Sequence, residues 1–140
     1  MTFIGRIQAP KQGEKFWEIK IPDLGIFTQG TTEHDAFVMV VNAIETLVDQ
    51  KHFKIKIRPL GKGRFLVSAN DPTLLIARWL YRLRVDSGLS IREAAQRLGA
   101  KSPEAWARYE SGRASPTVEK LSELLRAISP ESTFTLKRVV

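Results

Sequence analysis

Side chains suited to contacting nucleic-acid bases lie close together after residue 100. Glu104, Ala105 and Arg108 are spaced so that a helix would carry them on one side near its start. An arginine can donate two hydrogen bonds to guanine, and a glutamate can accept one from cytosine. Glu104 also has a second explanation, because a carboxylate in the first turn stabilises the helix dipole without any DNA. These three residues are the predicted base contacts.

Hydrogen-bond donors that suit phosphate surround the same segment. Cations placed near phosphates release condensed counterions, which favours binding. Each of these side chains could equally be a solvated surface group. The predicted phosphate contacts are Arg92, Lys101, Ser102, Arg113 and Lys120. Trp106 and Tyr109 are expected in the core, and Glu110 is expected to pair with another side chain rather than with DNA.

Four short helices with clear end signals would position these residues. Ser, Thr or Asp precedes each predicted start, and glycine follows three of the predicted ends. Ser90 and Glu93 have the spacing of a full capping box. The predicted caps are Asp71, Ser90, Ser102 and Thr117 at the starts, and Gly88, Gly99 and Gly112 at the ends. The apolar side of the last helix is expected inward, namely Val118, Leu121, Leu124, Leu125 and Ile128.

Ala94 and Ala95 lie where the second and third helices would cross, and their small side chains allow a close approach. Two short helices joined in this way form a helix-turn-helix, whose second helix can enter a major groove. The segment resembles the Cro/phage-repressor class of helix-turn-helix domains. The residues that carry the likeness are Arg84-Val85-Asp86-Ser87-Gly88-Leu89-Ser90, Ala95, Leu98-Gly99, Tyr109-Glu110-Ser111-Gly112-Arg113 and Pro116-Thr117.

The first half mixes strand and helix patterns. Strands are predicted at 3–7, 16–21, 26–29, 54–58 and 65–68, and Thr32 is expected to cap a helix over about 33–49. The predicted core face of that helix consists of Phe37, Val40, Val41, Ile44, Leu47 and Val48. From Asp71 onward the pattern is helical. The sequence therefore predicts an α+β domain over 1–69, a small antiparallel sheet with one packed helix, followed by an all-α helix-turn-helix domain and tail over 70–140.

The first half also resembles the HicB antitoxin family. The likeness rests on Ile21-Pro22-Asp23-Leu24-Gly25, Thr28-Gln29-Gly30, Thr32, Asp35-Ala36 and Ala43-Ile44. The family's usual proline before that glycine and cysteine two residues after it are both absent. The resemblance implies a partial ribonuclease H-like fold that neutralises a small mRNA-cleaving toxin of the HicA type. It also implies repression of the chain's own operon through the second domain.

Residues around the start of the first helix are the candidates for toxin contact. Val38 and Met39 extend the helix's apolar stripe, as a partner surface or as single exposed residues without consequence. Polar side chains nearby could hydrogen-bond a partner. The predicted toxin contacts are Gln29, Thr31, His34, Asp35, Val38 and Met39.

Enzymatic chemistry is not expected. Two-metal nucleic-acid cleavage needs several converging carboxylates, and the candidates Glu18, Asp23, Glu45 and Asp49 are explained as solvated or turn residues. Only His34 and His52 could supply imidazole, and cysteine is absent, so no metal or other cofactor is predicted. A repressor whose first domain senses a small ligand remains an alternative.

Composition agrees with a binding protein. The 140-residue chain has a formal net charge of +7, divided as +3 before Asp71 and +4 from it onward, which favours a polyanionic partner or simply solubility. The lack of cysteine, of a secretory signal and of a long apolar run predicts a cytoplasmic protein. Operator binding predicts at least a dimer, and the alternating tail 132–140 could pair with another chain as an edge strand.

Overall fold

The computed structural model describes residues 1–139, which form two compact units, one over Met1–Trp79 and the other from Leu80 onward. The first unit contains a sheet and the second is helical. The predicted fold class, α+β followed by an all-α helix-turn-helix domain, is confirmed. The last strand ends at Ala69, whereas the units divide between Trp79 and Leu80, within the helix that follows.

Five antiparallel strands form one sheet in the order β3-β2-β1-β5-β4. Side chains of β2 alternate, so that Ile19 and Ile21 are fully buried while Glu18 and Lys20 are exposed, as the sequence pattern predicts. At β2, therefore, one face of the sheet meets the core and the other meets solvent. The strands are β1 Phe3–Gln8, β2 Trp17–Ile21, β3 Ile26–Gly30, β4 Ile55–Gly61 and β5 Arg64–Ala69.

Helix α1, Glu33–Val48, packs on the core face of this sheet. Thr32 caps its start by accepting a hydrogen bond from Asp35 N at 3.0 Å, which confirms the predicted cap. Gly30 lets the helix come close, because a Cβ at that position would lie 2.3 Å from Ala36 N. Phe37 packs edge-on against Phe65, with ring centroids 5.3 Å apart.

One detail of α1 differs from the prediction. Leu47 is 49% exposed and does not belong to the core. It follows Met39 and Ala43 at intervals of four residues, so these three line one flank of the buried stripe formed by Ala36, Val40 and Ile44.

The helical part comprises α2 Pro72–Asp86, α3 Ile91–Arg97, α4 Glu104–Glu110 and α5 Val118–Ile128. Asp71 caps α2 by accepting from Thr73 N at 3.0 Å. The start of α2 belongs to the first unit, where Leu75 joins the core and Trp79 lies edge-on to Phe3 at 5.7 Å. The end of α2, from Leu80, belongs to the second unit.

Candidate nucleic-acid interface

Helices α3 and α4 are set at an angle by a glycine-dependent turn. Ser90 caps α3 by accepting from Glu93 N at 3.1 Å, and Gly99 ends it with a left-handed backbone at φ 75°. Gly99 N donates to Gln96 O and Ala100 N donates to Ala95 O, which satisfies two terminal carbonyls. The chain thus turns sharply before α4.

Small residues let the two helices pack closely. Ala94 and Ala95 of α3 are 0% and 1% exposed, and α3 is in contact with α4. Trp106 is 0% exposed and Tyr109 is 7% exposed, so their predicted place in the core is confirmed. The opposite face of α4 is left towards solvent.

A nearly buried ion pair fixes α4 against the end of α2. Arg84 donates from Nε and from Nη2 to the two carboxylate oxygens of Glu110, both at 2.7 Å, with side chains only 12% and 8% exposed. Trp106 Nε1 also donates to Glu110, and Arg84 Nη1 donates to Leu89 O at 2.7 Å. Glu110 is therefore a structural pairing residue, as predicted. The sequence analysis did not identify its partner, Arg84.

The hydrogen bond to Glu110 is the main reason that the pKa of Arg84 is raised. Burial works in the opposite direction and is outweighed. A raised pKa in the folded state means that stability from this pair is lost only as pH rises through that value. The Arg84 guanidinium consequently stays charged throughout the range in which arginine normally is.

Glu104 and Arg108 lie one turn apart on the exposed face of α4, and Ala105 beside them is half-buried. Both charged side chains have partners within the protein. Glu104 forms an exposed ion pair with Arg113. Arg108 Nη2 donates to Tyr109 Oη at 2.9 Å, and its guanidinium lies 4.9 Å from that ring's centroid. Binding to bases would require these contacts to be exchanged for contacts with DNA.

The predicted phosphate contacts lie on α3, in the turns on either side of α4, and on α5. Arg92 lies at the start of α3 and Lys101 in the turn, both exposed. Ser102 Oγ accepts from Glu104 N at 3.2 Å. Lys120 Nζ donates to Glu123 at 2.7 Å, and this hydrogen bond raises the pKa of Lys120. Arg113 is held by Glu104, as described above.

Three local predictions in this unit are wrong. Helix α4 begins at Glu104 with Pro103 as its N-cap residue, one position later than predicted, although Ser102 Oγ accepts a hydrogen bond from Glu104 N. Of the capping box predicted at Ser90 and Glu93, only one bond is formed among the described residues, the one that Ser90 Oγ accepts from Glu93 N. Val118 is 71% exposed because the first residue of α5 precedes its buried stripe. The other four predicted core residues of α5 are buried, and Thr117 caps it.

The predicted toxin contacts lie around the start of α1. Gln29, Thr31 and His34 are exposed, whereas Asp35 is half-buried and accepts from Thr31 N at 2.8 Å and Thr31 Oγ1 at 3.1 Å. Asp35 therefore orders the residue before the cap instead of closing a capping box. Val38 and Met39 are 41% and 43% exposed.

The four candidate carboxylates do not converge. Across residues 1–139 no group of three or more His, Cys, Asp or Glu side chains could hold a metal ion. Glu45, expected to be solvated, is instead bonded to Ile55 N at 3.0 Å and lies 3.5 Å from Lys54 Nζ, which fixes the start of β4. Glu18 and Asp23 are exposed, and Asp49 is the exposed C-cap of α1.

Comparison with known families decides the nature of the second unit. Residues 75–129 match a family model described as a helix-turn-helix domain. This part of the chain is a helix-turn-helix domain. The match includes α2 from Leu75 through the end of α5 and leaves the sheet outside it. A domain of this kind indicates a DNA-binding regulator.

Comparison with curated proteins gives no match for the chain. None of the helices described for residues 1–139 combines the length and apolar character needed to cross a membrane.

The buried pair between α2 and α4 should dominate the stability of the helical unit. Glu110→Gln is expected to lower the free energy of unfolding by about 3 kcal/mol, because the Arg84 guanidinium keeps its burial and loses its counter-charge. The measurement is a urea titration followed by circular dichroism at 222 nm. Glu123→Gln breaks the exposed pair with Lys120 and should change stability by less than about 1 kcal/mol. Equal losses for the two variants would contradict the structural role of Glu110.

Proposed function

We propose that the chain is a repressor-antitoxin, which binds operator DNA through α4 and neutralises a small mRNA-cleaving toxin of the HicA type through its first unit. The observation that carries the DNA half is the helix-turn-helix domain at residues 75–129. The toxin half is supported by the HicB-like residues of the first unit and by the exposed apolar flank of α1. The proposal gives the chain no catalytic step.

The exposed face of α4 supports direct contact with a major groove. Trp106 and Tyr109 fill the inner face, and the fixed pair at Glu110 holds the helix, so Glu104 and Arg108 are presented on a rigid element. In this proposal Arg108 donates to guanine once it leaves Tyr109. Arg113 and Lys101 flank this face and provide positive charge for the phosphates.

Operator binding is proposed to involve a dimer. One short recognition helix covers only a few base pairs, and helix-turn-helix repressors commonly bind two half-sites spaced by about one helical turn. Within the single chain, residues 130–139 form no strand, so pairing of the tail with another chain stays a prediction. Val140 lies outside the described residues.

Arg108 and Arg113 should differ in their effect on DNA binding. Arg108→Ala is expected to lose about 1–3 kcal/mol at one base position, whereas Arg113→Ala should weaken binding to all sequences alike. The measurement is fluorescence anisotropy with a duplex from the chain's own promoter and with a scrambled duplex of the same length.

Arg126→Ala, which removes an exposed arginine from the last turn of α5, is the charge-matched control. It should have little effect on either duplex. Equal losses on promoter and scrambled DNA for Arg108→Ala would contradict its assignment as a base contact.

The partner surface on α1 is an apolar strip that we define as Val38, Met39, Ala43 and Leu47. Three of its members are 41–49% exposed, and Ala43 is half-buried between Met39 and Leu47. Met39, Ala43 and Leu47 follow each other at four-residue intervals, so a partner can cover them together. Glu33 and His34 lie exposed in the first turn of α1, N-terminal to the strip, and add polar groups there.

A charge introduced in this strip should prevent toxin binding. Met39→Glu is expected to weaken binding by more than about tenfold, because the carboxylate would be buried without a partner. The probe is any small basic protein whose gene proves to lie beside that of this chain, titrated by isothermal calorimetry. Val118→Glu places the same charge on an exposed valine of α5 and should leave the affinity unchanged. Unchanged binding by Met39→Glu would exclude the strip, and absence of any partner protein would favour the ligand-sensing alternative.

A further inference from the structure

The solvent face of the sheet carries a row of side chains that neither proposed function uses. Cross-strand pairing places Phe27 opposite Lys20, Lys20 opposite Arg6, and Arg6 opposite Arg64. Directly opposed residues of antiparallel strands point to the same face. One aromatic ring and three cations therefore form a continuous row across four strands, about 14 Å long at the usual strand spacing of about 4.8 Å.

All four members of this row face solvent. Phe27 is 66% exposed, and Lys20, Arg6 and Arg64 are all exposed. Within residues 1–139 none of the three cations forms an ion pair. Like charges directly opposite each other weaken a sheet. The row therefore does not serve folding, and it fits a polyanionic partner.

A second row of polar side chains runs beside the first. Gln29 is opposite Glu18, and Glu18 is opposite Gln8, all on the same exposed face. A shallow depression of about 220 Å³ joins the two rows and includes Lys62 and the backbone at Gly63. It is smaller than the roughly 300 Å³ of the smallest pockets that enclose a ligand. The surface therefore suits an extended partner rather than an enclosed small molecule.

From this arrangement we propose that the open face of the sheet binds single-stranded RNA. Phe27 offers a ring on which a base can stack, and the cations follow the phosphates, which is the combination that single-strand binding surfaces use. An acidic peptide would be attracted by the cations and would leave Phe27 without a role. A sheet of this width does not fit the roughly 12 Å major groove of duplex DNA.

Glu18 gives the reason for RNA rather than DNA. Its carboxylate stands in the middle of the polar row, where it repels a phosphate but can accept a hydrogen bond from a ribose 2′-hydroxyl. The 2′-hydroxyl is the group that distinguishes RNA from DNA at a binding site. The cations of the first row then bind phosphates while Glu18 contacts the sugar.

The test uses the full chain and a fluorescein-labelled, unstructured 12-nucleotide RNA, with DNA of the same sequence for comparison. Phe27→Ala should weaken RNA binding about tenfold, and Lys20→Ala should weaken it and make it less dependent on salt. Phe27 is exposed, so its replacement should leave the fold and promoter binding unchanged. Glu18→Ala should bring the affinities for RNA and DNA together.

Lys51→Ala is the matched control, since Lys51 is an exposed lysine outside both rows. It should weaken RNA binding less than twofold. Equal losses for Lys51→Ala and Lys20→Ala, or full RNA affinity in Phe27→Ala, would overturn the proposal. Polyglutamate that displaces RNA equally from the original chain and from Phe27→Ala would indicate an acidic protein partner instead. Equal affinity for RNA and DNA in the original chain would overturn the preference for RNA.

Discussion

The position of the recognition helix depends on the ion pair between Arg84 and Glu110. The carboxylate accepts from both Arg84 and the ring nitrogen of Trp106, so a single side chain ties the end of α2 to both the start and the end of α4. Because the pair is almost fully buried, removing one partner would leave an unpaired charge, and the geometry tolerates little variation. Fixing α4 in this way leaves its outer face, with Glu104 and Arg108, free to meet another molecule.

The first unit depends on apolar packing instead of a buried ion pair. Its core cluster lies between the sheet and α1. Helix α1 covers one side of the sheet, and Gly30 permits the close approach. The remaining surfaces differ in chemistry: the flank of α1 is apolar, whereas the open sheet face is basic with one aromatic ring. An apolar flank suits a protein partner and a basic row suits a phosphate backbone. The two partners proposed for this small unit therefore correspond to two surfaces of different chemistry.

Much of the fold could be predicted because its signals are local. Caps at Ser90 and Thr117 and the left-handed Gly99 involve residues a few positions apart, and the alternation of β2 shows its buried face directly. Pairings between distant residues could not be predicted. Arg84 meets Glu110 across 26 positions, and Glu45 bonds to the start of β4. The exposed residues of α4 were predicted from helical spacing, but their partners Arg113 and Tyr109 were not.

The central claim is that the exposed face of α4 binds duplex DNA as a rigid element. Amide hydrogen exchange of the full chain, with and without its promoter duplex, tests this most directly. The account predicts slower exchange over residues 101–113 on addition of the duplex, with no change in β1 to β5. Unchanged exchange over 101–113, or protection that falls on the sheet alone, would contradict it.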